Sequence, residues 1–162
     1  MEAHQVLQEQ TRNHYRWLER AVSDVDAELA RRDPLAGRPS IAWQVTHLVE
    51  QVESTAQALC AWTPPAGDIP GSWDELRARF SASARGALAG LCDLTEADLA
   101  EPPLVPVHPS FEATLSTRLR WWSGHVFHVA YHLGQVGSLR AALGLGWDSL
   151  ISDCHQDPPT GS

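Results

Sequence analysis

The stretch HVFHVAYHLGQ, residues 125 to 135, places three imidazoles within eight positions of an otherwise apolar run. At about 100° per residue, Trp121, His125, His128, His132, Gln135 and Leu139 fall on one stripe of a helix, because their spacings alternate four and three. His128 and His132, four apart, have side chains that meet over one turn. Such a pair can present two ring nitrogens to one metal ion. A single histidine on a helix face is ordinarily a hydrogen-bonded core or boundary residue. Three on one stripe need compensation for their burial, and a divalent cation is the commonest compensation for a histidine cluster.

A zinc-type site needs a third protein ligand, which in a helical bundle comes from a facing helix. His47 is the best candidate, and Trp43, one turn earlier, shares its face. His14, between Asn13 and Tyr15, is an alternative, whereas His4, His108 and His155 fall in terminal or loop positions. His125 could compete as a ligand or act as a base beside the metal, since imidazole titrates near neutrality. Trp43, Trp121 and Trp122 could wall a substrate pocket, although aromatic residues at helical spacing usually serve packing. Gln135 and Glu50 stand where each could orient a ligating imidazole; helix packing for the first and solvation for the second are equally good readings.

Four helices are expected to position these residues. From about Glu2 to Arg31 no Gly or Pro interrupts a helical recurrence of Val6, Leu7, Tyr15, Leu18, Val22, Val25 and Leu29, which predicts one long helix. Ser40 is placed to cap a second helix reaching about Trp62, with Ile41, Val45, Leu48, Val52 and Leu59 on its apolar face. Ser72 and Glu75 form a capping box at the head of a third, which runs through Phe80 toward Leu91. Thr95 and Asp98 start a single further turn, and the prolines of EPPLVPVHPS then impose an irregular loop. The fourth helix is expected from about Glu112 to Leu143, closing at Gly144. The result is an all-α four-helix bundle over residues 1–147, followed by a loose tail over 148–162.

With 162 residues, 43% apolar and 20% charged, the chain suits one soluble globular domain. The net charge is −8, and the 12 basic residues are all arginine, dispersed rather than gathered into a stripe. That pattern argues against a nucleic-acid partner. Neither a membrane-length apolar run nor a signal-peptide pattern is visible, so a cytoplasmic protein is expected. Cys60, Cys92 and Cys154 are far apart, without a CxxC spacing, and are expected as reduced thiols. The absence of lysine beside abundant Arg, Ala, Gly and Pro suggests a GC-rich coding sequence. A homodimer is the commonest assembly for such a chain.

RPSIAWQVTHLVE and HVAYHLGQVGSLRAALG together resemble the signatures of the DinB/YfiT-like family of four-helix-bundle metalloproteins. The likeness covers roughly residues 3 to 147. It implies an up-down-down-up topology, in which TPPAGDIPG is a crossover along the bundle rather than a tight turn. It also implies a divalent ion such as zinc or nickel held by His47, His128 and His132, with positions left open. Relatives of this kind include S-transferases and isomerases that use mycothiol, bacillithiol or glutathione, whose thiol is bound as thiolate. The expected function is therefore metal-dependent thiol transfer to, or isomerisation of, a small electrophile, with a slight lean to mycothiol from the composition. The alternatives are a metal-dependent hydrolase and a non-catalytic metal-binding or stress-response bundle.

Overall fold

In the computed structural model, which describes residues 3–146, the helix starts are set by short polar side chains that accept from exposed backbone N–H groups. Ser40 caps a helix over Ile41–Cys60, and Ser72 caps one over Trp73–Cys92. The Thr95–Asp98 capping box forms, opening the short helix Glu96–Ala100. In chain order the helices are α1 (Ala3–Ala21), α2 (Ala27–Arg31), α3 (Ile41–Cys60), α4 (Trp73–Cys92), α5 (Glu96–Ala100) and α6 (Arg118–Ala142), with one 3-10 turn at Pro109–Phe111. The described residues contain no strand.

Two boundaries differ from the sequence expectation. The first helix does not run to Arg31: it ends at Ala21, a turn follows, and Asp26 accepts from the N–H groups of Glu28 and Leu29 to start α2. An aspartate followed by good helix formers starts a new helix as effectively as a proline ends one. The last helix begins at Arg118, not Glu112, because Thr117 caps it. The preceding residues are drawn into the turn at Pro109–Phe111, where the His108 side chain accepts from Ser110 N–H. The expected tail from 148, with Cys154 and His155, lies outside the described residues.

The contacts between helices give the winding. Along α1 and α6, Thr11 meets Trp122 near one end and the Ala21 carbonyl meets Arg140 near the other, so these helices are parallel. Along α3 and α4, Glu53 meets Arg79 and Cys60 lies against Gly90, again a parallel pair. His47 against His128 and Thr55 against Trp121 make α3 antiparallel to α6, and Glu19–Ser81 with Gln8–Cys92 does the same for α1 and α4. The topology is therefore up-down-down-up. Parallel α3 and α4 require the intervening chain to return along a helix of about 30 Å, which roughly a dozen extended residues can span. Arg79 and Arg31 hold that crossover by its carbonyls at Ala66 and Gly71.

The core has two apolar lobes. The larger gathers Leu18, Val45, Leu48, Phe80, Val136 and Leu139, and the smaller gathers Leu7, Leu59, Leu91, Leu99 and Trp122. Polar side chains are buried as well, among them Thr11, Thr55 and His125. Trp62, just past the end of α3, packs so closely on α4 that a Cβ built on Gly86 would come within 2.6 Å of its ring. Gly86→Ala is accordingly expected to destabilise by about 1–3 kcal/mol through overpacking, despite its gain in helix propensity. Gly134→Ala, with no atom within 4 Å of the added Cβ, should stabilise by about 0.5–1 kcal/mol. Urea denaturation of both variants checks the pair; stabilisation by Gly86→Ala would contradict the packing.

Candidate metal centre

The middle of α3 faces the middle of α6, and the antiparallel register sets His47 opposite His128. One candidate nitrogen from each of His47, His128 and His132 lies within 4.8 Å of the other two. His47 Nε2 and His128 Nε2 are 3.0 Å apart. Imidazole nitrogens on a tetrahedral zinc ion, at about 2.0–2.1 Å each, stand roughly 3.3 Å from one another. The three rings therefore need only small adjustments to converge on one cation, and the donor set contains no carboxylate.

Supporting side chains fix the rings. His132 Nδ1 is 2.5 Å from Gln44 Oε1, and Gln44 Nε2 donates to Gln135 Oε1 at 3.3 Å. A carbonyl oxygen can only accept, so Nδ1 of His132 carries the proton and Nε2 keeps the lone pair that a metal needs. Trp43 stacks on His47 with ring centres 5.1 Å apart and planes 14° from parallel. Glu50 Oε2 lies 3.7 Å from His47 Nδ1, too long for a hydrogen bond.

His125 is not brought into this group. It is buried, its Nε2 is 2.8 Å from the Tyr15 hydroxyl, and its Nδ1 is 3.1 Å from Thr55 Oγ1. Thr55 Oγ1 also accepts from Trp121 Nε1 at 3.4 Å. Seven residues before His132 means two turns along the helix, about 10 Å, which is too far to share an ion. His14 sits on α1 with its Nδ1 buried and unpaired, and it is not among the three clustered histidines. Gln44, Tyr15 and Thr55 were not singled out by sequence as site residues. Gln44 carried a signal: an amide between Ile41, Val45 and Leu48 on an apolar face must find a buried partner.

Burial favours the neutral form of His132, His128 and His125. It lowers His132 to about 4, with further repulsion from His128 and His47, and lowers His128 with help from His47. Burial likewise brings His125 down to about 3, aided by His128 and His14. An unfolded chain takes up these protons as the pH falls below about 6.5, whereas the folded chain does not until near the lower values. Stability of the metal-free protein should therefore be highest above about pH 6.5 and fall toward pH 4, by up to about 1.4 kcal/mol per pH unit for each of His132 and His125. Urea midpoints at pH 7 and pH 5 test this, and equal stability at both would contradict it.

Two clefts flank the histidines. One, of about 440 Å³, is bordered by His128, His125, Trp121 and Thr55. The other, of about 360 Å³, is bordered by His132, Gln44, Gln135, Trp43, Tyr131 and Arg38. The structure thus brings Trp43 and Gln135 to the His132 side and Trp121 to the His128 side. Trp122, in contrast, is fully buried in the smaller core lobe and donates to Thr11 Oγ1.

An up-down-down-up helical bundle with three imidazoles gathered between its second and last long helices defines a class of bundle with a candidate metal centre. The chain belongs to the DinB superfamily, whose sequence model matches residues 9–136. Its fold is similar to a solved structure of a conserved protein from Enterococcus faecalis, with a TM-score of 0.67 and 15% identity, covering 89% of this chain and 99% of that one. At that identity the likeness concerns the fold alone. No curated protein matches the chain. No helix among the described residues is long and apolar enough to cross a membrane.

Proposed function

We propose that this protein is a divalent-metal-dependent enzyme that joins a low-molecular-weight thiol, of the mycothiol, bacillithiol or glutathione kind, to a small electrophile or uses it in an isomerisation. The observation that carries this reading is the set of three clustered imidazoles without a carboxylate, flanked by clefts on both sides. Zinc or nickel suits such a donor set. A dipositive ion there would keep its full charge and acidify a thiol or water brought to it.

The chain's own residues supply the rest. His47, His128 and His132 hold the ion, and Gln44, backed by Gln135, fixes the tautomer of His132. Trp43 and Tyr131 wall the His132-side cleft, where Arg38 offers the charge to receive an anionic group of the thiol. His125 serves as a positioning residue rather than a proton carrier, because both its nitrogens are engaged and it stays neutral near pH 7. We read the protein as acting on small molecules without nucleic-acid or membrane partners, and as a homodimer.

The test is consumption of 1-chloro-2,4-dinitrobenzene by zinc- or nickel-loaded protein, with and without glutathione. Turnover that requires the thiol and falls to background in His132→Ala is expected. Metal-dependent consumption without any thiol would instead indicate hydrolysis and overturn the thiol-transfer reading.

A further inference from the structure

The cleft on the His128 side differs in chemistry from the one on the His132 side. Its walls are Trp121 and Gly124 of α6, Gln51 and Thr55 of α3, and Phe111 and Leu115 from the segment leading into α6. None of its bordering residues is a carboxylate, arginine or lysine, whereas the opposite cleft carries Arg38. Phe111, which borders the cleft, is 55% exposed, so about half of this aromatic residue is open to solvent. The segment bearing these residues is fastened to α6 by Arg120, whose Nη1 donates to the Ala113 carbonyl at 2.9 Å.

Trp121 is held in this wall from behind. Its indole N–H donates to Thr55, Thr55 pairs with His125, and His125 pairs with Tyr15. That chain engages the polar groups of Thr55 and His125 within the protein and leaves Trp121 as the largest apolar side chain bordering the cleft. In the metal-free protein a charged ligand entering there would lose hydration without meeting an opposite charge, which costs several kcal/mol. An uncharged aromatic or alkyl group would lose little and gain ring contact. Its volume of about 440 Å³ is within the usual range of small-molecule sites.

We infer that the cleft beside His128 is the binding site for an uncharged, largely apolar organic molecule, stacked on Trp121 under Phe111 and Leu115, and that in the metal-free protein it discriminates against carboxylates. Gly124 is the residue that keeps this space open. A Cβ there would lie 3.7 Å from Leu115 Cδ2, an ordinary contact, while a longer side chain would extend into the cleft. That this ligand is the electrophile of the proposed reaction is a step that rests on the metalloenzyme reading; its binding to the cleft does not.

The test uses 1-naphthamide and 1-naphthoate, an isosteric pair differing in charge, with metal-free full-length protein. In ¹H–¹⁵N spectra, 1-naphthamide should shift the Trp121 indole and Gly124 amide signals and bind at least about tenfold more tightly than 1-naphthoate. Gly124→Ala should still bind, and Gly124→Leu should lose binding while keeping the wild-type circular dichroism spectrum. Should Gly124→Leu fail to fold, Leu115→Glu, at the partly exposed lip, should weaken the amide at least about tenfold. Absence of shifts at Trp121 and Gly124, equal binding of the two probes, or unchanged binding in the folded Gly124→Leu or Leu115→Glu variant would overturn the inference. Failure of the metal reading would be seen separately, as absence of metal uptake by protein that still binds 1-naphthamide.

Discussion

His47→Ala is expected to abolish metal binding at micromolar ion, because it removes the only candidate ligand that α3 contributes to the described cluster. Two histidines one turn apart on α6 would remain, and two protein ligands fall short of the three that zinc sites of the open kind use. The loss should exceed the roughly 10–100-fold that follows removal of a supporting group. Gln44→Leu supplies that comparison. It leaves all three imidazoles but frees the tautomer of His132, and should weaken binding by about 10–100-fold. Competition against a chromophoric chelator measures both. Equal affinities for wild type and His47→Ala would remove α3 from the site.

The largest stability effect outside the apolar core is expected at Arg140. Its side chain is 1% exposed and reaches across to the end of α1, where Nη1 donates to the Ala21 carbonyl at 2.6 Å. Both terminal nitrogens also engage Asp24, and Nη2 donates to the Gly146 carbonyl. The arginine holds the Asp24 carboxyl below its ordinary value. One buried group thus closes α1, fixes the turn before α2 and fastens the end of α6. Arg140→Met keeps much of the apolar stem and removes every one of these bonds.

The expected cost is about 2–4 kcal/mol, below the roughly 3–5 kcal/mol for breaking a fully buried pair because Asp24 is half-exposed. That corresponds to a fall of roughly 5–15 °C in melting temperature. Asp24→Asn, which leaves the arginine its carbonyl partners, should cost less than Arg140→Met. Thermal unfolding followed by circular dichroism checks the order, and an Arg140→Met protein as stable as wild type would show that the clamp contributes nothing net.

How much of this was legible beforehand depends on whether a feature is local or depends on register. The helix starts at Ser40, Ser72 and Thr95 were readable because a cap and its partner lie within three residues of each other. The break after Ala21 was missed because neither Gly nor Pro marks it; Asp24 and Asp26 act there through Arg140 and through a cap. The start of α6 lies six residues later than the lack of proline suggests, because the Thr117 side chain accepts from Arg120 N–H there. In each case the missing information was a side-chain contact rather than a backbone preference.

The site divides in the same way. His128 and His132 were legible from their own spacing, and His47 from its place in the middle of a facing helix. His125 shares their stripe, but a stripe says nothing of what the facing helix presents at each level. Opposite His125 the antiparallel register brings Thr55, and the parallel α1 brings Tyr15, so the ring is consumed in hydrogen bonds. One turn further on, the same stripe meets His47. The support from Gln44 was hidden for a related reason: its partner lies 88 residues away in sequence.

The central claim is that three imidazoles from α3 and α6 hold one divalent ion. Elemental analysis of protein purified without tag or chelator, and then reconstituted and desalted, tests it most directly when wild type, His132→Ala and His125→Ala are compared. The account predicts about one zinc or nickel ion per chain in wild type and His125→Ala, and none in His132→Ala. No metal in reconstituted wild type, or full retention in His132→Ala, would contradict it.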